Sequence, residues 1–205
     1  MQDISPYITN QVHIGTGKIF QKEKLIFDSE ERGLAFLQAA YEHLDNEYPK
    51  FYKMDALCKL GTIAASVLLH TFNKSLYQPE EVGIVLSNRN GSIEADVNYF
   101  ESAQTFPSPS LFVYTLPNII MGEISIRNGF KGENAFFISE KFDADWIHFY
   151  VLDLMQHHGI KACICGWADV INEESNAHFF LVEKENKNGI TFTPRNLVQQ
   201  PALET

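Results

Sequence analysis

The sequence predicts an α/β fold, a sheet with helices on both faces. Short apolar runs at residues 83–88, 135–138 and 161–170 have the length of strands, and segments of helical period lie between them. Glycines and polar clusters separate these segments, and no linker, repeat or low-complexity tract interrupts them. At 205 residues with 45% hydrophobic content, the chain suits one domain with a sizeable core.

Residues 11–27 carry Val12, Ile14, Ile19, Phe20, Leu25 and Ile26, split by Gly15 and Gly17, which predicts a strand, a turn and a second extended piece. Asp28 and Glu31 have the spacing of an N-cap and its capping-box partner, so a helix should follow, burying Leu34, Leu37, Tyr41 and Leu44. A second helix is expected from Ala56 to about Thr71, apolar on nearly every side and therefore buried between layers. Residues 83–88 read as a buried strand that delivers the loop Asn88-Arg89-Asn90-Gly91, with a short helix over 92–103. Phe106-Pro-Ser-Pro-Ser110 is a loop. Pro117-Asn118 opens a helical run with apolar Ile119, Ile120, Ile124 and Ile126, small Gly122 and one buried-looking face, broken by Gly129 and Gly132, and residues 135–138 read as a short, fully buried strand. Asp143 is a good N-cap for the next helix, with Phe142 and Ile147 at staple spacing and Ile147, Tyr150, Val151, Leu154 and Met155 as its buried stripe. Strands over 161–170 and 177–183 complete the pattern. A domain over residues 1–193 and a polar tail over 194–205 are expected.

Composition narrows the function. A formal charge of −10 argues against a nucleic-acid partner, because no basic stripe exists to displace counterions. No stretch is long and apolar enough to span a bilayer, and the first ten residues do not read as a secretory signal. Three cysteines without zinc-like spacing fit a reducing cytoplasm better than a disulfide framework. Cys58, Cys163 and Cys165 read as small core residues, and no dinucleotide or P-loop fingerprint appears, so no cofactor or metal is expected.

The stretch YTLPNIIMGEISIRNGFKGENAFFISEK, residues 114–141, carries a resemblance. It resembles the segment of β-ketoacyl synthases, thiolase-type condensing enzymes, in which a Pro-Asn-x-x-x-Gly-x-x-x-Ile-Arg helix leads through Lys-Gly-x-Asn to the nucleophilic cysteine. Lys-Met-Asp at 53–55 and Ala-x-Ile-x-Gly-x-Ala-Asp at 162–169 are similar to the same family, so the resemblance covers roughly residues 49–183. It implies a thiolase-like fold: a single N-terminal-half domain, with a mixed sheet flanked by helices. A full condensing enzyme is about twice as long, and its second half, with two catalytic histidines, has no counterpart here.

The family's cysteine falls at Lys141 in this sequence, with Ser139 the only nearby hydroxyl. Neither replaces a thiolate without a dedicated base. His157-His158-Gly159 sits at a helix C-terminus, where histidine suits the helix dipole. No catalytic residue is therefore assigned. The resemblance implies a non-condensing accessory or partner subunit in a fatty-acid or polyketide-type pathway, like a chain-length factor. Its partner would be a second copy or a ketosynthase, paired along the strand before residue 141. An acyl carrier protein is disfavoured by 16 Lys plus Arg against 26 Asp plus Glu. Two alternatives stay open: an acyltransferase-type enzyme using Ser139, Lys141 or a cysteine, and a small acyl-chain-binding domain with a pocket lined by Phe136, Phe137 and Phe142.

Overall fold

The structure, a computed structural model, describes residues 5–15, 17–45, 47–186 and 188–198. Its chain begins with a meander, β1 (Tyr7–Gly15), β2 (Lys18–Gln21) and β3 (Lys24–Asp28). Helices α1 (Gly33–His43) and α2 (Ala56–Leu68) follow, then β4 (Val82–Asn88), α3 (Ile93–Ala103), the single turn α4 (Pro109–Phe112) and α5 (Ile119–Asn128). The second part runs β5 (Asn134–Ile138), α6 (Ala144–His157), β6 (Ala162–Ile171), β7 (Glu174–Glu183), β8 (Ile190–Thr191) and α7 (Pro194–Val198).

These strands make one mixed eight-stranded sheet in the order β3-β2-β1-β7-β6-β4-β5, with β8 also on β1. Strand β4 runs parallel to both β5 and β6, and the remaining pairs are antiparallel. Every residue of β4 is buried, as expected for a parallel strand covered on both faces. Helix α2 lies on one face against β1, β6 and β7, with α1 and α5 packed beside it. That position explains why it is apolar nearly all round. Gly61 on α2 is a close-approach glycine: a Cβ there would lie 2.4 Å from the end of Ile120 on α5. Helix α5 also turns Glu123 inward, where it pairs with Lys50 at 2.8 Å and accepts from the Tyr114 hydroxyl at 3.4 Å. The other face carries α6 and α7, whose Ile147, Val151, Leu154 and Leu197 pack on Ile8, Val85, Phe180 and Val182. No helix among the described residues is long and apolar enough to cross a membrane.

Three expectations change. Asp28 ends β3 opposite Lys18 instead of capping α1, which starts at Gly33 after Arg32 and has no side-chain cap. Leu34 is consequently exposed, and Phe36, Leu37, Ala40 and Tyr41 form the buried face. The strand at 134–138 is an edge strand with half-exposed residues, not a fully buried one. Residues 194–198 of the expected tail form α7, with Leu197 fully buried; residues 199–205 lie outside the described part. The Asp143 cap holds as expected, accepting from Trp146 N at 2.9 Å, and Gly129 ends α5 in the left-handed region at φ 76°.

Gly166 is the least replaceable backbone position in the sheet. Its φ is 147°, and a Cβ there would lie 2.0 Å from the carbonyl oxygen of His178 on the neighbouring strand. Gly166→Ala should cost about 3 kcal/mol or more, read as a lower urea midpoint at unchanged slope. A loss below about 0.5 kcal/mol would show that β6 and β7 separate more easily than this packing implies.

Candidate functional site

The parallel strands β4, β5 and β6 deliver their C-terminal ends to one side of the molecule. Beyond β4, the side-chain amide of Asn88 donates to Gly91 O at 2.8 Å and its carbonyl accepts from Gly91 N at 3.0 Å, which closes the turn. Asp169 on β6 accepts from Asn90 N at 3.0 Å and from its side-chain amide at 2.6 Å, so the loop is tied across the sheet. Beyond β5, Ser139 N donates to Asn88 O, and the Ser139 hydroxyl donates to Lys141 O at 2.9 Å. Between these ends lies a cleft of about 510 Å³, with Arg89, Lys141, Phe142, Trp167, Asn176 and His178 in its walls.

Lys141 thus stands at the rim, exposed and without an ion pair among the described residues. Ser139 donates its proton to a backbone carbonyl and has no imidazole or carboxylate hydrogen-bond partner among the described residues. The structure does not bring the three phenylalanines together. Phe136 packs toward α2 and α5, whereas Phe137 meets Trp146 and Tyr150 edge-on at 5.6 and 5.1 Å on the opposite face. Phe142 stacks over Phe180 at 6.4 Å and is the one of the three that lines the cleft.

β5 ends the sheet, and its outer edge has no partner among the described residues. Glu133 O and Ser139 N bond to β4, so in a parallel ladder Ala135 and Phe137 point their N–H and C=O the same way. Asn134, Phe136 and Ile138 therefore turn theirs outward. Apolar side chains lie by this edge: Ile138 is 58% exposed, and on α6 the exposed Trp146 packs on Phe137 with exposed Phe149 beside it. An edge with no charge on 134–138 is a pairing template.

A pair of histidines went unassigned in the sequence. His13 on β1 lies directly opposite His178 on β7, with ring centroids 5.6 Å apart and planes at 89°. Both are buried, and His13 Nδ1 and His178 Nε2 have no hydrogen-bond partner among the described residues. Burial, with His13 nearby as a lesser cause, pushes the His178 imidazole from 6.5 down to about 3; burial also lowers His13. The only sequence signal was their alternation with core residues, which marks an inward-facing position and not a chemistry. His157 and His158 sit at the end of α6 and both approach Asp153, at 2.9 and 3.5 Å. The three cysteines are free and buried, and burial raises all three thiols above their ordinary value.

No protein-family model and no curated protein matches the sequence. Solved structures do. The ishigamide ketosynthase/chain length factor aligns with TM-score 0.66 at 17% identity, over 88% of this chain and 62% of that one. The fold is thiolase-like. A type II polyketide synthase acyl-carrier protein in complex with its ketosynthase (AntDE:AntF) aligns with TM-score 0.63 at 13% identity, over 89% of this chain and 63% of that one. The ketosynthase ApeO in complex with its chain length factor ApeC, from Xenorhabdus doucetiae, aligns with TM-score 0.58 at 15% identity, over 90% and 81%. The chain thus spans less than two thirds of the first two matched chains.

Two measurements follow from the site's buried groups. An imidazole held below its unfolded value costs stability as pH falls through 6.5, because the unfolded chain then binds a proton that the folded one refuses. Full stability is present above that value. Between about pH 7.5 and about pH 5, His178 should account for a loss of about 2 kcal/mol, at about 1.4 kcal/mol per pH unit below 6.5. Urea unfolding of His178→Phe at the two pH values should show that share gone; an unchanged pH dependence would remove the assignment. The thiols should label slowly in folded protein and rapidly once it is unfolded. Labelling of any one in the folded state faster than a free thiol would mark an activated cysteine.

Proposed function

We propose that this chain is a non-condensing, ketosynthase-like partner subunit for a fatty-acid or polyketide-type pathway. The β5 edge carries the reading: unpaired backbone groups and apolar flanks, with Lys141 at the strand's tip in the cysteine position. A thiolate must hold the acyl group in carbon–carbon condensation. The thiols of this chain are buried elsewhere, and its nearest hydroxyl is bonded to a carbonyl. Two of its structural neighbours are ketosynthases with their chain length factors, which agrees with a role at a ketosynthase's side. The occupant of the edge is a ketosynthase or a second copy of this chain in C2 symmetry. A second reading, an acyl-chain-binding domain, draws on the cleft of about 510 Å³ with Phe142 and Trp167 in its walls.

Ile138 gives a direct test, because it is exposed on the edge and its N–H is not used by β4. Light scattering with chromatography should show the chain paired, alone or after co-expression with a ketosynthase from the same genome. Ile138→Lys should dissociate the pair while leaving the thermal melt within a few degrees. A wild-type monomer across micromolar concentrations that retains no ketosynthase would sink the partner role. A pair that Ile138→Lys leaves intact would move the interface away from β5. In the same preparations, decarboxylation of a malonyl carrier by the isolated chain should stay at background. Turnover that vanishes in Lys141→Ala or Ser139→Ala would replace the partner reading with an enzyme.

A further inference from the structure

Beside the histidine pair a second cleft, of about 490 Å³, lies between the β6–β7 turn and the start of α1. Its walls are fixed. The turn residues Asn172 and Glu173 hold left-handed conformations at φ 49° and 68°, and Glu173 O accepts from Gly33 N at 3.0 Å. Asn172 N donates to a Glu94 carboxylate oxygen at 2.7 Å, so the turn is anchored to both α1 and α3. Arg32 sits in the wall with Nη1 spread over the carbonyls of Ser29, Glu30 and Glu31, at 3.2, 3.0 and 2.8 Å. Its Nε and Nη2 have no hydrogen bond among the described residues. Gly17 permits that placement, since a Cβ there would lie 2.5 Å from Arg32 Nη1. Helix α1 opens at Gly33 in the same wall, with no capping side chain and no acidic residue in its first turn. A helix start of this kind favours negative charge.

The floor is what singles the cleft out. The point where a Cβ on Gly15 would sit lies 3.3 Å from His13 Nε2 and 3.6 Å from Asn176 Nδ2. Two side-chain nitrogens therefore converge on a space that Gly15 leaves open. His13 is 4% exposed, and its Nδ1 is buried without a partner. A buried nitrogen with no acceptor near it is cheaper left bare than protonated, which places the single proton of the neutral ring on Nε2, facing that space. The amide of Asn176, an exposed residue, supplies a second donor, and the buried Ser175 hydroxyl, also without a partner among the described residues, lines the same cleft. Donors converging beside a guanidinium and a helix start call for an anionic oxygen ligand. Glu173 and Glu174, exposed at the mouth, disfavour a multiply charged one.

We propose that this cleft binds a small monocarboxylate, one oxygen held by His13 Nε2 and Asn176 Nδ2 and the other by Arg32. The site is separate from the β5 edge, and its test stands apart from the partner role.

Sodium acetate, titrated at constant ionic strength into isotope-labelled full chain, is the probe. The His13 ring and Asn176 side-chain amide resonances should move and saturate at millimolar acetate. Gly15→Ala fills the open space; its backbone is not in the left-handed region and the His13 ring need give by only a few tenths of an ångström, so the variant should fold and weaken binding at least tenfold. Arg32→Gln should weaken it comparably, and inorganic phosphate should bind more weakly than acetate. Linear, unsaturable shifts would overturn the proposal, as would saturation that Gly15→Ala leaves unchanged. Phosphate binding as tightly as acetate would overturn the monocarboxylate assignment. If Gly15→Ala fails to fold, the Arg32→Gln titration decides.

Discussion

Strand β4 is the member on which the rest of the structure depends. It has a parallel neighbour on each side and no exposed residue, so its backbone groups are satisfied only if β5 and β6 form beside it. Parallel pairing in turn needs a covered crossover on each face. Helices α3 to α5 lie in the connection from β4 to β5, and α6 connects β5 to β6. Because all three strands point the same way, their C-terminal ends arrive together, and the cleft follows from that geometry. Lys141, Arg89 and Asp169 come from distant parts of the sequence and line one cleft because the ladder is parallel.

Much of this was legible. The strands at 83–88 and 161–170 announced themselves as apolar runs, and the α6 stripe of Ile147, Val151, Leu154 and Met155 has an unbroken helical period. What failed was local chemistry overruled by pairing. Asp28 has the spacing of a cap, but its backbone is committed to the ladder with Lys18, and Arg32 holds the following loop until α1 can begin. Leu197 is hidden in a polar segment because one buried apolar residue in a five-residue helix has no period to detect.

The candidate site was harder to read than the fold. Ser139 and Lys141 could be placed by counting along a motif, but the hydrogen bond from the Ser139 hydroxyl to Lys141 O is visible only in space. Phe136 and Phe137 are adjacent in sequence and so face opposite sides of a strand; the alternation should have separated them. His13 and His178 are 165 positions apart, and nothing in either neighbourhood marks them as a cross-strand pair. Glu123 is a similar case. A charged residue on an apolar helix reads as surface, yet here it faces Lys50 and Tyr114 inside the protein.

The one-sided bonding of β5 has a consequence for how the strand behaves in time. Its amides fall into two interleaved sets, those of Ala135, Phe137 and Ser139 locked to β4 and those of Asn134, Phe136 and Ile138 open to solvent. Hydrogen–deuterium exchange along six consecutive residues would then alternate slow and fast, with the period of the pleat itself. Any surface that settles on the edge must silence the fast set and leave the slow one as it was. The strand is thus a built-in reporter of its own occupancy, needing no label and no knowledge of what has bound.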